Sequence, residues 1–350
     1  MIRLLKDWTL PIAMLAGTLL YLFFARVSWV APLKPMVHEV IAFLTPTLIF
    51  AQLLLTFCKV ELSELRPRPW HGWLLLFQVV TVLLLTLLLV FLPLSPTGRL
   101  LFEAAMVCLV CPTATAAAVI TAKLGGSAAT LTTYTLLSNL MAAVAVPLLF
   151  PLVEPHAGLT FFLAFLRILS KVFPLLLCPF ILAQLLRRFL PGLHRWLMNR
   201  HEAAFYLWAV ALAIVSGQTV RSLANSPAPV QVMWLIALVG LLTCVVQFAL
   251  GKGVGERYGE RLSAGQALGQ KNTVLAIWMA YTYLQPLSSV GPGSYVLWQN
   301  LINSYQLWKK RKRDAAAKRE TLSPSEPLTP SEPLTLSEPL TPSETPKQKL

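Results

Sequence analysis

One lysine and three amides lie inside an apolar stretch long enough to cross a bilayer: Gly265-Gln266-Ala267-Leu268-Gly269-Gln270-Lys271-Asn272-Thr273-Val274-Leu275-Ala276. A charged side chain near the middle of a membrane costs about 2.5 to 3.5 kcal/mol, so one found there faces a partner, a cavity or a substrate. Gly265, Gly269 and the polar run also loosen any helix at this point. A break in a spanning helix is tolerated only where the freed backbone groups meet protein or a water-lined site. A second interrupted stretch reads Cys108-Leu109-Val110-Cys111-Pro112-Thr113-Ala114-Thr115-Ala116-Ala117-Ala118, where a proline and two threonines break a smooth apolar pattern. The expected substrate or ion site therefore gathers Pro112, Thr113 and Thr115 from one break and Gln270, Lys271, Asn272 and Thr273 from the other.

The elements that must hold these residues follow from composition. Of 350 residues, 56% are hydrophobic and only 13% charged, more apolar surface than a soluble core can hide. The chain reads as an all-α polytopic membrane protein whose first partner is the lipid bilayer. A net charge of +14 would suggest nucleic acid in a soluble protein, but the basic residues sit in short loops and in one cluster after the last span. They are topology signals, and no nucleic-acid partner is expected.

At roughly 20 apolar residues per span, ten helices are expected, near 8–25, 37–58, 71–93, 101–122, 127–152, 162–186, 202–220, 229–250, 263–284 and 290–308. The two breaks fall on the fourth and ninth of these, five helices apart. A five-helix unit crosses an odd number of times, so a second copy enters the membrane upside down. Two inverted repeats with discontinuous helices meeting near the midplane form the pattern of a secondary transporter. Arg3 and Lys6 precede the first apolar run without a small-x-small cleavage site, so that run is expected to stay as a helix.

Lysine and arginine counts set the orientation. Arg3, Lys6, Lys59, Arg66, Arg68, Lys123, Arg187, Arg188, Arg195, Arg200, Lys252, Arg257, Arg261 and the cluster after Trp308 fall on one side, against Arg26, Lys34, Arg99 and Arg221 on the other. Both termini are expected in the cytoplasm, in a bacterial-type inner membrane. Arg167 and Lys171, in the first turns of the sixth span, either snorkel to the far interface or face an aqueous crevice.

Residues 309–350 differ from everything before them. Lys309-Lys310-Arg311-Lys312-Arg313 with Lys318 and Arg319 is a juxtamembrane basic cluster. Beyond it, Ser325-Glu326-Pro327-Leu328-Thr329-Pro330 recurs twice more from Ser331 and Ser337, with too little to bury for a fold, so it reads as disordered.

Catalytic and metal chemistry find no foothold. Cys58, Cys108, Cys111, Cys178 and Cys244 lie in or beside apolar segments; Cys108 and Cys111 share a helix face, but no second pair or histidine completes a site. His38, His71, His156, His194 and His201 are scattered. No phosphate loop, His-Glu-x-x-His or paired carboxylates occur within a span. Gly251, Gly253 and Gly255 follow a membrane helix instead of a strand, so an enzyme is not expected.

Cys111-Pro112 with its threonine-alanine run, Gly269-x-x-Asn272-x-x-Leu275-Ala276, and Gly291-Pro292-Gly293 with Trp298-Gln299-Asn300 together resemble the bile acid:sodium symporter family over residues 65–308. The resemblance implies a core domain (helices three to five and eight to ten, about 67–157 and 227–308) with crossed fourth and ninth helices. It packs on a panel of helices one, two, six and seven, about 1–66 and 158–226. It also implies transport of organic anions, bile acids or small carboxylates, by relative motion of the two around a crevice. Gln78, Thr135 and Asn272 match other family positions, and Asn300 joins them in the expected site at the helix crossing.

The family's two sodium ions would find few of their ligands here. Ala267 stands where a glutamate is common, Lys271 where a glutamine is, and Ala117 and Ala118 where a Ser-Asn pair is. Sodium needs several hard oxygen donors, which alanines do not supply. An ammonium can instead occupy the cation's place and donate hydrogen bonds to freed carbonyls. Lys271 is then a fixed internal cation, a proton carrier, or a partner for a substrate carboxylate; protons join the organic anion as expected partners, and no cofactor is expected. Two other readings stay open: an arsenite efflux carrier using Cys111, and a transport-inactive sensor or assembly protein docking through its tail.

Overall fold

The computed structural model describes residues 9–27, 32–155 and 158–322 of the chain. Arg3, Lys6, His156 and the repeat from Ser325 lie outside them. The described residues form helices α1 (Thr9–Arg26), α2 (Lys34–Phe57), α3 (Pro69–Phe91), α4 (Pro96–Val110), α5 (Ala117–Leu124), α6 (Ala128–Val153), α7 (Phe161–Phe189), α8 (Pro191–Asn199), α9 (His201–Ala224), α10 (Val230–Glu256), α11 (Arg261–Gly269), α12 (Thr273–Tyr283) and α13 (Val290–Leu322).

Local chemistry sets the helix starts. Ser95, Ser127 and Thr160 accept hydrogen bonds from the backbone N–H groups of Gly98, Thr130 and Leu163, capping α4, α6 and α7. Pro69 and Pro96 occupy the first helical positions of α3 and α4, where no intrahelical N–H is needed. At the end of α5, Gly125 takes a φ of 91°, a turn that suits glycine.

The expectation of ten spanning helices in two inverted repeats, with crossed helices and separate core and panel domains, is corrected by the structure. Among the described residues six helices are long and apolar enough to cross a membrane: α2, α3, α6, α7, residues 203–224 of α9, and α10. The apolar part of α1, Pro11–Arg26, is shorter. The expected fourth and ninth spans are each two short helices, α4 with α5 and α11 with α12. α13 carries its helix on into a polar, basic segment. A window of apolar residues runs straight across Pro112 and across Gln270-Lys271-Asn272, whereas the backbone leaves the helix there. Met1–Trp308 also forms one compact unit, without a division into two domains.

Within that unit α9 packs on α1 and α2, α2 on α7, α6 on α7, and α10 on α11 and α4. The largest buried cluster includes Leu53, Phe57, Val110, Phe150, Leu176 and Met279. Large apolar side chains such as Leu15, Leu84, Phe91, Trp234 and Leu301 point outward, as lipid contact requires. In the second unit, Lys309–Leu350, the described residues continue helically and Lys310 pairs with Asp314 at 3.3 Å.

Two glycines let α1 and α9 approach closely. A Cβ on Gly17 would fall 1.9 Å from the Ala213 carbonyl oxygen, and one on Gly217 2.9 Å from the Gly17 oxygen. Small residues at such a contact supply packing that lipid cannot. Gly17→Ala must push two backbones apart, an overpacking expected to cost about 1 to 3 kcal/mol. The purified variant should melt below wild type, and an unchanged melting temperature would show that the contact is loose.

Candidate functional site

The two breaks pair with each other. Cys111 turns extended ahead of Pro112, with φ −57° and ψ 133°, ending α4. Gln270 likewise turns extended, with φ −98° and ψ 100°, ending α11. Thr113 and Lys271 then face each other as an antiparallel bridge. The Ala114 N–H donates to the Gln270 carbonyl at 2.8 Å, and the Asn272 N–H to the Pro112 carbonyl at 2.9 Å. Asn272 also starts α12: its Oδ1 accepts from the Leu275 N–H at 3.3 Å.

Helix ends leave carbonyls without intrahelical donors, and neighbouring side chains supply them. At the end of α4, Gln247 Nε2 donates to the Cys108 carbonyl at 3.3 Å. The Leu109 carbonyl accepts from Gln78 Nε2 at 2.8 Å and from Lys271 Nζ at 3.4 Å. At the end of α11, Thr113 Oγ1 donates to the Ala267 carbonyl at 2.6 Å and Tyr295 Oη to the Gly269 carbonyl at 2.8 Å. The Lys271 N–H donates to Gln299 Oε1 at 2.9 Å. Lys271 is 1% exposed and makes no ion pair among the described residues. Its ammonium sits at the C-terminal, partially negative end of α4.

Lys271, Asn272, Gln270, Thr113 and Pro112 thus come together. Thr273 is buried in the first turn of α12, with its N–H on the Lys271 carbonyl at 2.9 Å. Gln78 joins through the shared Leu109 carbonyl. Thr135 is one step removed: its hydroxyl donates to Leu131, and Ser138 links the Thr135 carbonyl to Thr113. Thr115 is half-buried in the turn before α5. Asn300 stays away, its Nδ2 turned to the Val296 carbonyl at 2.7 Å. Gln270 Oε1 is buried and has no hydrogen-bond partner.

The residues that sequence reasoning missed are Gln299, Tyr295, Gln247, Tyr134 and Ser138. Tyr295, Gln299 and Asn303 recur every fourth residue, one polar stripe along α13, and that spacing was the signal. Ala267 and Ala117 are fully buried and bring no side-chain oxygen to the site, and Lys271 Nζ lies 3.4 Å from the Leu109 carbonyl. Among the described residues no group of three or more His, Cys, Asp or Glu could hold a metal. The Cys111 thiol is buried and engaged, with Sγ 2.9 Å from the Asn272 carbonyl.

Elsewhere, α2, α7, α9 and α12 line an open cleft of about 710 Å³, with Phe43, Phe50, Trp278 and Tyr281 among its walls. That volume lies in the range of small-molecule sites.

Residues 58–298 match the family model described as the SBF-like CPA transporter family (DUF4137). A comparison with curated proteins gave no match.

Gln78 is held from both sides, since Tyr134 Oη donates to its Oε1 at 2.6 Å. Gln78→Leu leaves the fully buried Tyr134 hydroxyl without an acceptor, expected to cost about 1 to 3 kcal/mol. Adding Tyr134→Phe should recover part of the melting temperature. If the double variant melts no higher than Gln78→Leu alone, the two side chains are not coupled.

Proposed function

The chain belongs to the SBF-like CPA transporter family and is a membrane-embedded secondary transporter, not an enzyme; we propose that it carries an organic anion, bile-acid-like or a small carboxylate, by alternating access and without two-sodium coupling. The observation that carries this reading is the Lys271 ammonium, buried where the two broken segments pair and 3.4 Å from the Leu109 carbonyl. A positive charge held there occupies the place of a bound cation. Coulomb repulsion from it disfavours sodium nearby.

Lys271 is either a fixed internal cation, a proton carrier that exchanges its proton as the site alternates between dry and wet, or a direct partner for the substrate carboxylate. The site in this reading comprises Lys271, Asn272, Gln270, Thr273, Thr113, Thr115, Pro112, Thr135 and Gln78, with Gln299 in place of Asn300. The cleft of about 710 Å³ lined by α2, α7, α9 and α12 offers the volume and the aromatic walls that an organic anion needs.

The chain ends lie on the cytoplasmic side of a bacterial-type inner membrane in this reading. Contacts that gather the basic loops support it: Arg187 pairs with Glu61 at 2.8 Å, His194 Nε2 lies 2.9 Å from the Cys58 carbonyl, and Trp73 Nε1 donates to Tyr258 Oη at 3.0 Å. Residues 1–308 are the transporter and 309–350 a tail whose basic cluster anchors it to the anionic leaflet.

Uptake of labelled organic anions into proteoliposomes tests the reading, with sodium compared with choline at two pH values. We expect equal uptake in both salts, lost in Lys271→Ala. A fixed cation gives uptake that ignores an imposed pH gradient, and a proton carrier gives uptake that follows it. Strict sodium dependence would overturn the proposal.

A further inference from the structure

Two cations of α7 have no role in the site at the breaks. Arg167 and Lys171 are the seventh and eleventh residues of α7 and share one face. At 1.5 Å per residue, Lys171 lies about 15 Å along the helix, close to half the thickness of a hydrocarbon core. Neither makes an ion pair among the described residues. A charge at that depth calls for water, a partner or a ligand.

Both side chains line a small cavity of about 60 Å³ together with Thr282 and Tyr283. Tyr283 is 6% exposed, and its hydroxyl has no hydrogen-bond partner among the described residues. The polar side chains lining the cavity are thus two cations and two hydroxyls, and none is a carboxylate. Such a set binds an anion. The space holds a few waters, enough for a carboxylate or sulfonate group.

Lys171 and Thr282 also line the cleft of about 710 Å³. The two linings also meet where Trp278 of the cleft packs edge-on against Tyr283, with ring centroids 5.5 Å apart and planes at 84°. We infer that Arg167, Lys171 and Tyr283 form the head-group subsite for an amphipathic anion whose apolar body lies against Phe43, Phe50, Trp278 and Tyr281. This rests on the organic-anion reading and adds the place and polarity of the ligand. The same chemistry suits a soluble fatty or aryl anion and an anionic lipid head group.

Equilibrium binding of radiolabelled decanoate to the full chain in phosphatidylcholine nanodiscs tests it. Arg167→Gln and Lys171→Gln should each weaken binding about tenfold, as expected for losing one charge-assisted contact to an anion. Tyr283→Phe should weaken it less, and Lys171→Arg should leave it near wild type. Each methylene removed from the acid should weaken binding about fourfold. Displacement of decanoate by phosphatidylglycerol in the disc assigns the subsite to a lipid head group, and persistence assigns it to a soluble anion. Wild-type affinity in all the glutamine and phenylalanine variants, with unchanged melting temperatures, would overturn the subsite and leave the transport reading standing. Wild-type protein that binds no decanoate would overturn it too. Normal binding without uptake would defeat the transport reading alone.

Discussion

A backbone that leaves the helix inside a membrane must still hydrogen-bond its N–H and C=O groups, since no lipid atom can take their place. Here two such departures answer each other. The N–H groups of Ala114 and Asn272 reach across to the carbonyls of Gln270 and Pro112, and Thr113 and Lys271 come face to face between them. Neither break is stable alone. Pro112 removes a donor and bends the chain, and the Gln270-Lys271-Asn272 run supplies the extended partner that makes the bend tolerable. Gln78, Ser138, Gln247, Tyr295 and Gln299 are arranged around this pair.

The remaining orphans are carbonyls at the ends of α4 and α11, and their donors come from the neighbouring helices α3, α10 and α13. Gln78, Gln247 and Tyr295 each deliver one hydrogen to a carbonyl that the interrupted helices leave open. Gln247 also bonds Tyr295 at 3.2 Å, which ties two of these donors together. The Lys271 ammonium joins the same set, and its position follows from electrostatics as much as from sterics. A cation at a helix C-terminus is favoured by the aligned peptide dipoles. The Lys271 nitrogen and the carbonyls are therefore mutually supporting, which explains how a lysine survives in a site with no carboxylate beside it.

Charge elsewhere is distributed with equal economy. The buried Glu103 is held between Arg99 at 3.3 Å and the Gln285 amide at 3.2 Å, and Arg99 also reaches Glu154 at 3.4 Å. That cluster joins α4, the end of α6 and the turn after α12, and its groups satisfy one another. Arg167 and Lys171 have no such arrangement. Two cations beside an unpartnered phenol and an aromatic cleft leave a gap that a ligand can fill, whereas the Glu103 cluster leaves none.

Much of this protein was legible in its residues alone. Composition required a membrane protein, because apolar surface of that extent has no other solvent. Proline and polar runs marked both breaks, because their backbone chemistry is local. Lys271 stood out because one charge in an apolar stretch needs a reason. The number and continuity of spanning helices are not legible there, because hydropathy averages over a window and does not register where the backbone stops being helical. Adjacent residues on a helix differ by about 100° in direction, so only the packed neighbours decide that Gln299 meets the Lys271 N–H while Asn300 turns to the Val296 carbonyl. Sequence thus fixes which groups must find partners. Tertiary structure decides which partners they find, since Thr113 and Lys271 meet only when helices far apart in the chain are brought side by side.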